Sequence, residues 1–286
     1  MQTKVKLSKR VVSLATALVT GMSAVGAAGI PGGVFEILSA SAEDGHNYVN
    51  GFCTDEGCTS PYEPATEENG TYQIANAGNL YWFAEQVNVC VGFKHPNSDI
   101  NAVLTADIVV NTGDVAGCNG TKDESWRDWT PISADYGRYK GTFDGQGHTI
   151  SGLYFNDSSG ECIGIVGELY LGGVIQNVGL ENSYFHGEQN IAGICGQSYG
   201  TISNCYSTGT VIGELINIGG IVGSSTSLVS SSYGTVSNCH NTGSIEGVQN
   251  TGGICGFNDC HQTIENCYNT GNITGELELG GICGSN

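Results

Sequence analysis

From residue 173 onward the chain repeats itself. Residues 200–213 read GTISNCYSTGTVIG, 234–247 read GTVSNCHNTGSIEG, and 263–275 read TIENCYNTGNITG, with a fainter copy, GVIQNVGLENSYFHG, at 173–187. A second phrase alternates with the first: AGICG at 192–196, GGIVG at 219–223, and GGICG at 252–256 and 280–284. Val178, Cys205, Cys239 and Cys267 occupy the same place in successive copies, 27, 34 and 28 residues apart. A period near 28 means stacked units, none of which buries its apolar side alone. The long interval holds SSTSLVSSSY, a loop bulging from one unit.

The units are made of strands. Runs such as Thr-Ile-x-Asn, Thr-Val-Ile and Gly-Ile-Cys are short, rich in Ile, Val and Thr, and separated by Gly or Asn. No apolar spacing long enough for a helix occurs among them. Glycine and asparagine recur where a coil must turn through left-handed backbone angles. Several short strands per coil predict an all-β parallel β-helix, a β-solenoid. Scarce Leu excludes leucine-rich repeats, the period excludes propeller blades, and the absence of Gly at every third position excludes collagen.

Ahead of the repeats, Leu80, Phe83, Ala84 and Val87 share one face of a helix predicted over 77–88, with Asn76 as N-cap. It is expected to cover the open edges of the first coil. NAVLTADIVV, with Leu104, Ala106, Ile108 and Val110 alternating, predicts one strand. Trp126, Trp129 and Tyr139 are expected to cover the first coils.

The phrases GGICG and NCYNTG, with FDGQGHTISGL upstream, resemble the GLUG repeat of bacterial surface proteins and the wider right-handed β-helix class. IANAGNLYWFAEQVN at 74–88 looks like the usual opening of that module. The resemblance covers roughly residues 70–286. It implies a secreted or cell-surface β-helix, adhesin-like and often part of a larger protein, and names no activity. The expected organisation is a signal peptide or N-terminal anchor over 1–42, a short Cys-containing linker over 43–69, a cap and first coils over 70–155, and GLUG-like coils over 156–286.

The leader expectation rests on the Lys4, Lys6, Lys9, Arg10 cluster, the uncharged run Val11–Ile30 and the small residues Ala40-Ser41-Ala42. That 20-residue run is also long enough to span a bilayer uncleaved. Beyond residue 42 there are 5 basic and 27 acidic residues, and none of the basic ones lies after Lys140. Nucleic acid is excluded as a partner, because phosphate binding needs clustered cations. No membrane insertion of the mature domain is expected either. A host or environmental glycan, or a surface protein, is the partner class expected. Because the chain stops at GGICGSN, part-way through a coil, it is expected to be a portion of something longer.

Asp144 and His148 in GTFDGQGHTISG are the first candidates for chemistry. Polygalacturonase-like β-helices work with clustered aspartates and pectate lyases with a basic residue beside calcium, and neither set is visible. Both residues are therefore read as a turn and a strand start. Glu188, Glu214, Glu246 and Glu276 recur at similar places and could line up for calcium, but are read as a solvated acidic face.

The Asn-Cys column holds Val178, Cys205, Cys239 and Cys267; the Ile-Cys-Gly column holds Cys195, Val222, Cys255 and Cys283. A site that accepts Val wants a small apolar group, so mostly free buried thiols are expected. Cys53 and Cys58, which with His46 precede the module in a phrase resembling a short FCTxCG knuckle, are expected to close a loop disulfide. Zinc is the alternative, although four ligands are not evident locally. Cys260-His261 is read as loop. No catalytic, cofactor-binding or metal-binding set is assigned. The functional expectation is a non-catalytic scaffold presenting loops 224–233 and 257–262, the alternative a β-helix enzyme acting on polysaccharide.

Overall fold

The computed structural model describes residues 45–92, 94–134, 137–226, 234–259 and 262–286. The leader expected over 1–42, Cys260-His261 and most of the loop 224–233 lie outside these residues.

The short Ile/Val/Thr runs form five strand positions per coil. In one coil these are Val174–Gln176, Gly179–Glu181, Tyr184–Gly187, Gln189–Ala192 and Cys195–Ser198. Each pairs in parallel with its counterpart in the next coil: Thr201–Ser203, Tyr206–Ser207, Thr210–Gly213, Ile216–Gly219 and Val222–Ser225. The result is five stacked parallel sheets of five to eight strands, the β-solenoid that the repeat predicts. Val174, Thr201, Thr235 and Thr263 lie in register down one sheet, so the sequence period is the length of a coil. Antiparallel pairing among the described strands is confined to Tyr48–Val49 with Phe52–Cys53 and Thr66–Glu68 with Thr71–Ile74.

Both repeated phrases have a local cause. In Asn-Cys, the asparagine takes the left-handed conformation that turns the chain into the second strand: φ is 54° at Asn177 and Asn204 and 53° at Asn238 and Asn266. Asn tolerates that region better than most residues. The next residue, Val178, Cys205 or Cys239, then points into the shaft and is buried. In Gly-Gly-Ile-Cys-Gly the coils approach too closely for side chains. A Cβ on Gly252 would overlap the Cys255 carbonyl oxygen, and one on Gly256 would meet the backbone of Asn217 and Ile218 in the preceding coil.

Ile175, Leu180, Phe185, Ile191, Ile194 and Cys195 fill one coil and are fully buried, each such aliphatic or aromatic side chain stabilising by about 1.5–3 kcal/mol. Toward the later coils the shaft is less apolar than the sequence suggests. Leu180 is stacked on Ser207 and Ser207 on Asn241. Asn241 stays inside because its amide donates to Gly243 O (3.0 Å) and to Asn269 Oδ1 (2.8 Å).

The helix forms over Ala77–Asn88 with Asn76 as N-cap, its side chain accepting from Asn79 N. It joins two adjacent strands of one sheet, Thr71–Ile74 and Asn101–Leu104, and so replaces the rest of that coil. Leu80, Phe83 and Val87 are fully buried, and Phe83 packs on Tyr139 and Phe143. The helix therefore covers the apolar shaft, while the sheet edge is blocked by antiparallel Thr66–Glu68. The single strand expected over 101–110 is two, Asn101–Leu104 and Ile108–Val109, in different sheets, because the coil turns a corner between them. Trp129 and Tyr139 cover the first coils as expected, their polar atoms donating to Gly164 O and Ile100 O (both 2.9 Å). Trp126 is only partly buried, on Tyr154.

Candidate functional site

Asp144 and His148 do not form a pair. Asp144 ends one strand and accepts from Gln146 N (2.8 Å), Gln176 Nε2 (2.9 Å) and Asn177 Nδ2 (3.0 Å). Burial alone would raise its carboxyl, but these three donors outweigh it and hold the group below the usual carboxylate range. His148 instead places Nδ1 3.1 Å from Asp107 Oδ1. Each carboxylate organises a turn, as the turn-and-strand interpretation expects.

The acidic column is less regular than the sequence suggests. Glu246 belongs to a column with Ile212 and Thr274, whereas Glu188 and Glu214 each follow a strand-ending glycine and Glu276 follows Gly275, just past the strand Ile273–Thr274. Glu214 Oε1 is engaged by His186 Nε2 at 2.7 Å, and His186 Nδ1 meets Asn156 Oδ1 at 2.6 Å. Both imidazole nitrogens are thereby used, and no nucleophile adjoins them among these contacts. Glu214, Glu246 and Glu276 share the lining of one open depression of about 260 Å³. They are not among the described groups of three or more metal-ligating side chains lying within 4.8 Å of one another.

The outer face of the second strand position carries an arrangement the site search in the sequence missed. Tyr206, His240 and Tyr268 stack with ring centroids 5.1 and 4.8 Å apart and planes within 11° and 4°. The signal was present, since each follows an Asn-Cys dipeptide, but only the parallel register makes neighbours of residues about thirty positions apart. Tyr206 lies over Gly179 and donates to Glu181 Oε1 at 2.6 Å. Burial first, and the Glu181 carboxylate second, push its phenol up to about 12.

All described cysteines are free thiols. Cys195, Cys205, Cys239 and Cys255 are buried and donate to carbonyls two residues away at 3.1–3.2 Å. The loop disulfide expected between Cys53 and Cys58 is not formed. Both thiols turn toward one imidazole nitrogen, His46 Nδ1, which lies 3.7 Å from Cys53 Sγ and 3.2 Å from Cys58 Sγ. Asp55 Oδ2 is 3.7 Å from the same nitrogen and 3.8 Å from Cys53 Sγ. His46, Cys53 and Cys58 are the one described set of three such ligand atoms within 4.8 Å of one another.

One comparison bears on the solenoid and its repeated faces. Residues 187–212 match the family model described as the GLUG motif. The chain thus carries a GLUG motif on a parallel β-helix. The GLUG-repeat chain is 36% identical to halomucin of Haloquadratum walsbyi over 128 residues, 43% of its own length and 1% of halomucin. It is 32% identical over 79 residues to a protein of Evansella cellulosilytica described as a "Putative Gly-rich membrane protein", covering 27% of this chain and 9% of the relative. It therefore spans a small part of either. A crystal structure from Bacteroides ovatus, described as a "putative immunoglobulin A1 protease", superposes with TM-score 0.56 at 26% identity, over 77% of this chain and 63% of that one. These relatives fit a surface β-helix protein. Among the described residues no helix is long and apolar enough to cross a membrane.

Proposed function

We propose that the GLUG-repeat chain is a non-catalytic, extracellular scaffold of a larger surface protein, presenting side chains at coil spacing to a glycan or a protein on another surface. The observation that carries this is the way its polar side chains are used. Asp144, Glu181 and Glu214 each hold a neighbouring coil's side chain, and repeated positions such as Tyr206, His240 and Tyr268 form a continuous outward face. A hydrolytic groove needs opposed carboxylates with unlike environments. The name of the Bacteroides ovatus neighbour raises proteolysis, which needs a nucleophile on one imidazole nitrogen and an orienting acceptor on the other. At His46 both thiols and Asp55 lie on Nδ1, an arrangement that does not support that reading.

One observation favours a second reading, action on polysaccharide: the depression shared by Glu214, Glu246 and Glu276. The test is to incubate the full chain with acidic and neutral glycans, measure reducing ends and unsaturated products, and screen binding on the same glycans and on surface proteins. Binding that is lost in Tyr206→Ala and Tyr268→Ala, without turnover, is expected. Turnover that disappears in Glu214→Gln or Glu246→Gln would establish the enzyme instead.

A further inference from the structure

We propose that His46, Cys53 and Cys58, with Asp55 beside them, form a structural site for a tetrahedral divalent metal, zinc by ligand type, that clamps the N-terminal hairpin onto the capping helix. The distances carry the argument. For zinc with sulfur at about 2.3 Å and nitrogen or oxygen at about 2.0–2.2 Å, the edges of the ligand tetrahedron are roughly 3.3–3.8 Å. The observed edges are 3.2 Å (His46 Nδ1 to Cys58 Sγ), 3.7 Å (Nδ1 to Cys53 Sγ), 3.7 Å (Nδ1 to Asp55 Oδ2) and 3.8 Å (Cys53 Sγ to Asp55 Oδ2). The two sulfurs lie within 4.8 Å of each other.

The convergence on Nδ1 matters as much as the lengths. Two thiols and a carboxylate converging on Nδ1 would crowd one proton in an acid–base relay, whereas a cation held between Nδ1 and the two sulfurs is attracted to all three, with the Asp55 carboxylate alongside. The outer contacts are also those of a metal site. Asn47 donates its backbone N–H to Asp55 Oδ2 (2.9 Å) and its side-chain amide to Oδ1 (2.8 Å), fixing the carboxylate from behind. Binding replaces the two thiol protons, which leave to solvent, by bonds from sulfur to the cation.

The placement explains what such a site would do. Cys53 ends a hairpin whose turn, Asn50-Gly51, is seated on the start of the capping helix. Asn50 O accepts from Gly78 N (3.0 Å), Asn50 Oδ1 accepts from Ala77 N (3.3 Å), and Phe52 packs edge-on against Tyr81. The loop 54–61 beyond it offers little apolar surface. A metal joining residues 46, 53 and 58 would tie that loop to the hairpin and fix the hairpin on the helix.

The experiment is to purify the full chain under reducing, chelator-free conditions, measure zinc by mass spectrometry, and replace it with cobalt. Expected are about one metal per chain, cobalt absorption with thiolate charge-transfer and intense tetrahedral visible bands, and loss of both in Cys53→Ser and Cys58→Ser. His46→Ala should shift the visible bands, and Cys118→Ser should change nothing. Far-ultraviolet circular dichroism is expected to keep the solenoid signal in all variants, since the coils are paired to one another by their own parallel ladders. A metal content unchanged in the Cys53→Ser/Cys58→Ser double variant, a weak octahedral cobalt spectrum of the unmodified chain, or a Cys53–Cys58 disulfide in the reduced preparation would each overturn the proposal.

Discussion

Asn204 donates its side-chain amide to Asn177 Oδ1 one coil earlier, at 2.9 Å, and both residues hold φ at 54°. Asn177 in turn donates to Asp144. A second column runs the same way on another edge, Asn250 to Asn217 at 2.8 Å and Asn217 to Asn190 at 2.9 Å, again with left-handed backbones. Asparagine is thus selected twice at each corner, for a conformation it tolerates and for an amide that is both donor and acceptor along the stack.

Asn217 separates the two roles. Asn217→Ala keeps an unfavourable φ and strands the Asn190 carbonyl oxygen and the Asn250 amide, a combined cost on the order of 2–4 kcal/mol. Asn217→Gly restores the backbone freedom but not the ladder, and should recover about 1 kcal/mol of it. Urea denaturation followed by circular dichroism measures both, and equal midpoints for the two variants would show that the corner is not strained.

Gly252 tests the close approach of coils. A methyl group there would overlap the Cys255 carbonyl oxygen and crowd Gly284 N in the next coil. Gly252→Ala is expected to cost on the order of 3 kcal/mol, whereas Gly147→Ala, where a Cβ meets nothing within 4 Å, pays only for its positive φ. Thermal melts of the two variants should rank in that order.

The thiol columns are packing, not redox chemistry. Cys255 pairs with Val222 in the preceding coil, so Cys255→Val should cost less than about 1.5 kcal/mol. Burial raises the Cys162 thiol to about 11 and pushes Cys195 and Cys255 well above the ordinary range. Alkylation of the native chain near neutral pH, mapped by peptide mass, should mark exposed Cys90 and spare these three. Rapid modification of Cys255 would mean that the shaft opens.

Acid should loosen the Asp144 corner. Its folded pKa lies below the unfolded value of about 3.9, so its hydrogen bonds contribute stability above that value, and the contribution is lost as pH falls through the folded one. Asp144→Asn should therefore lower the melting temperature at pH 7, and the gap from the unmodified chain should shrink below about pH 4. A pH-independent gap would assign the loss to shape instead of charge.

The solenoid was legible because each coil repeats the same local instructions: Asn to turn, Cys or Val to fill, Gly to let backbones touch. The helix was legible from its periodicity and cap. What sequence could not supply was register and direction in space. The Tyr206, His240 and Tyr268 stack and the displacement of Glu246 from the acidic column depend on how a coil of 34 residues aligns with one of 28. The Cys53–Cys58 disulfide was inferred from spacing alone, and spacing does not show that both thiols face His46.

Glu168 gives the opposite pH signature. It is 4% exposed, and its Oε2 has no hydrogen-bond partner among the described residues. Burial raises its carboxyl, only partly offset by the charge and backbone N–H of Arg138. Below the unfolded value of about 4.3 both states are protonated and the group is neutral to stability. As pH rises past it, the unfolded chain ionises first and the folded state loses ground until its own carboxyl follows. Gln already occupies the paired position one coil on, at Gln197, so Glu168→Gln fits the site. The variant should unfold at higher urea than the unmodified chain at pH 7, and the two should converge below about pH 4. A Glu168→Gln chain that is no more stable at pH 7 would mean that this carboxylate is satisfied in solution.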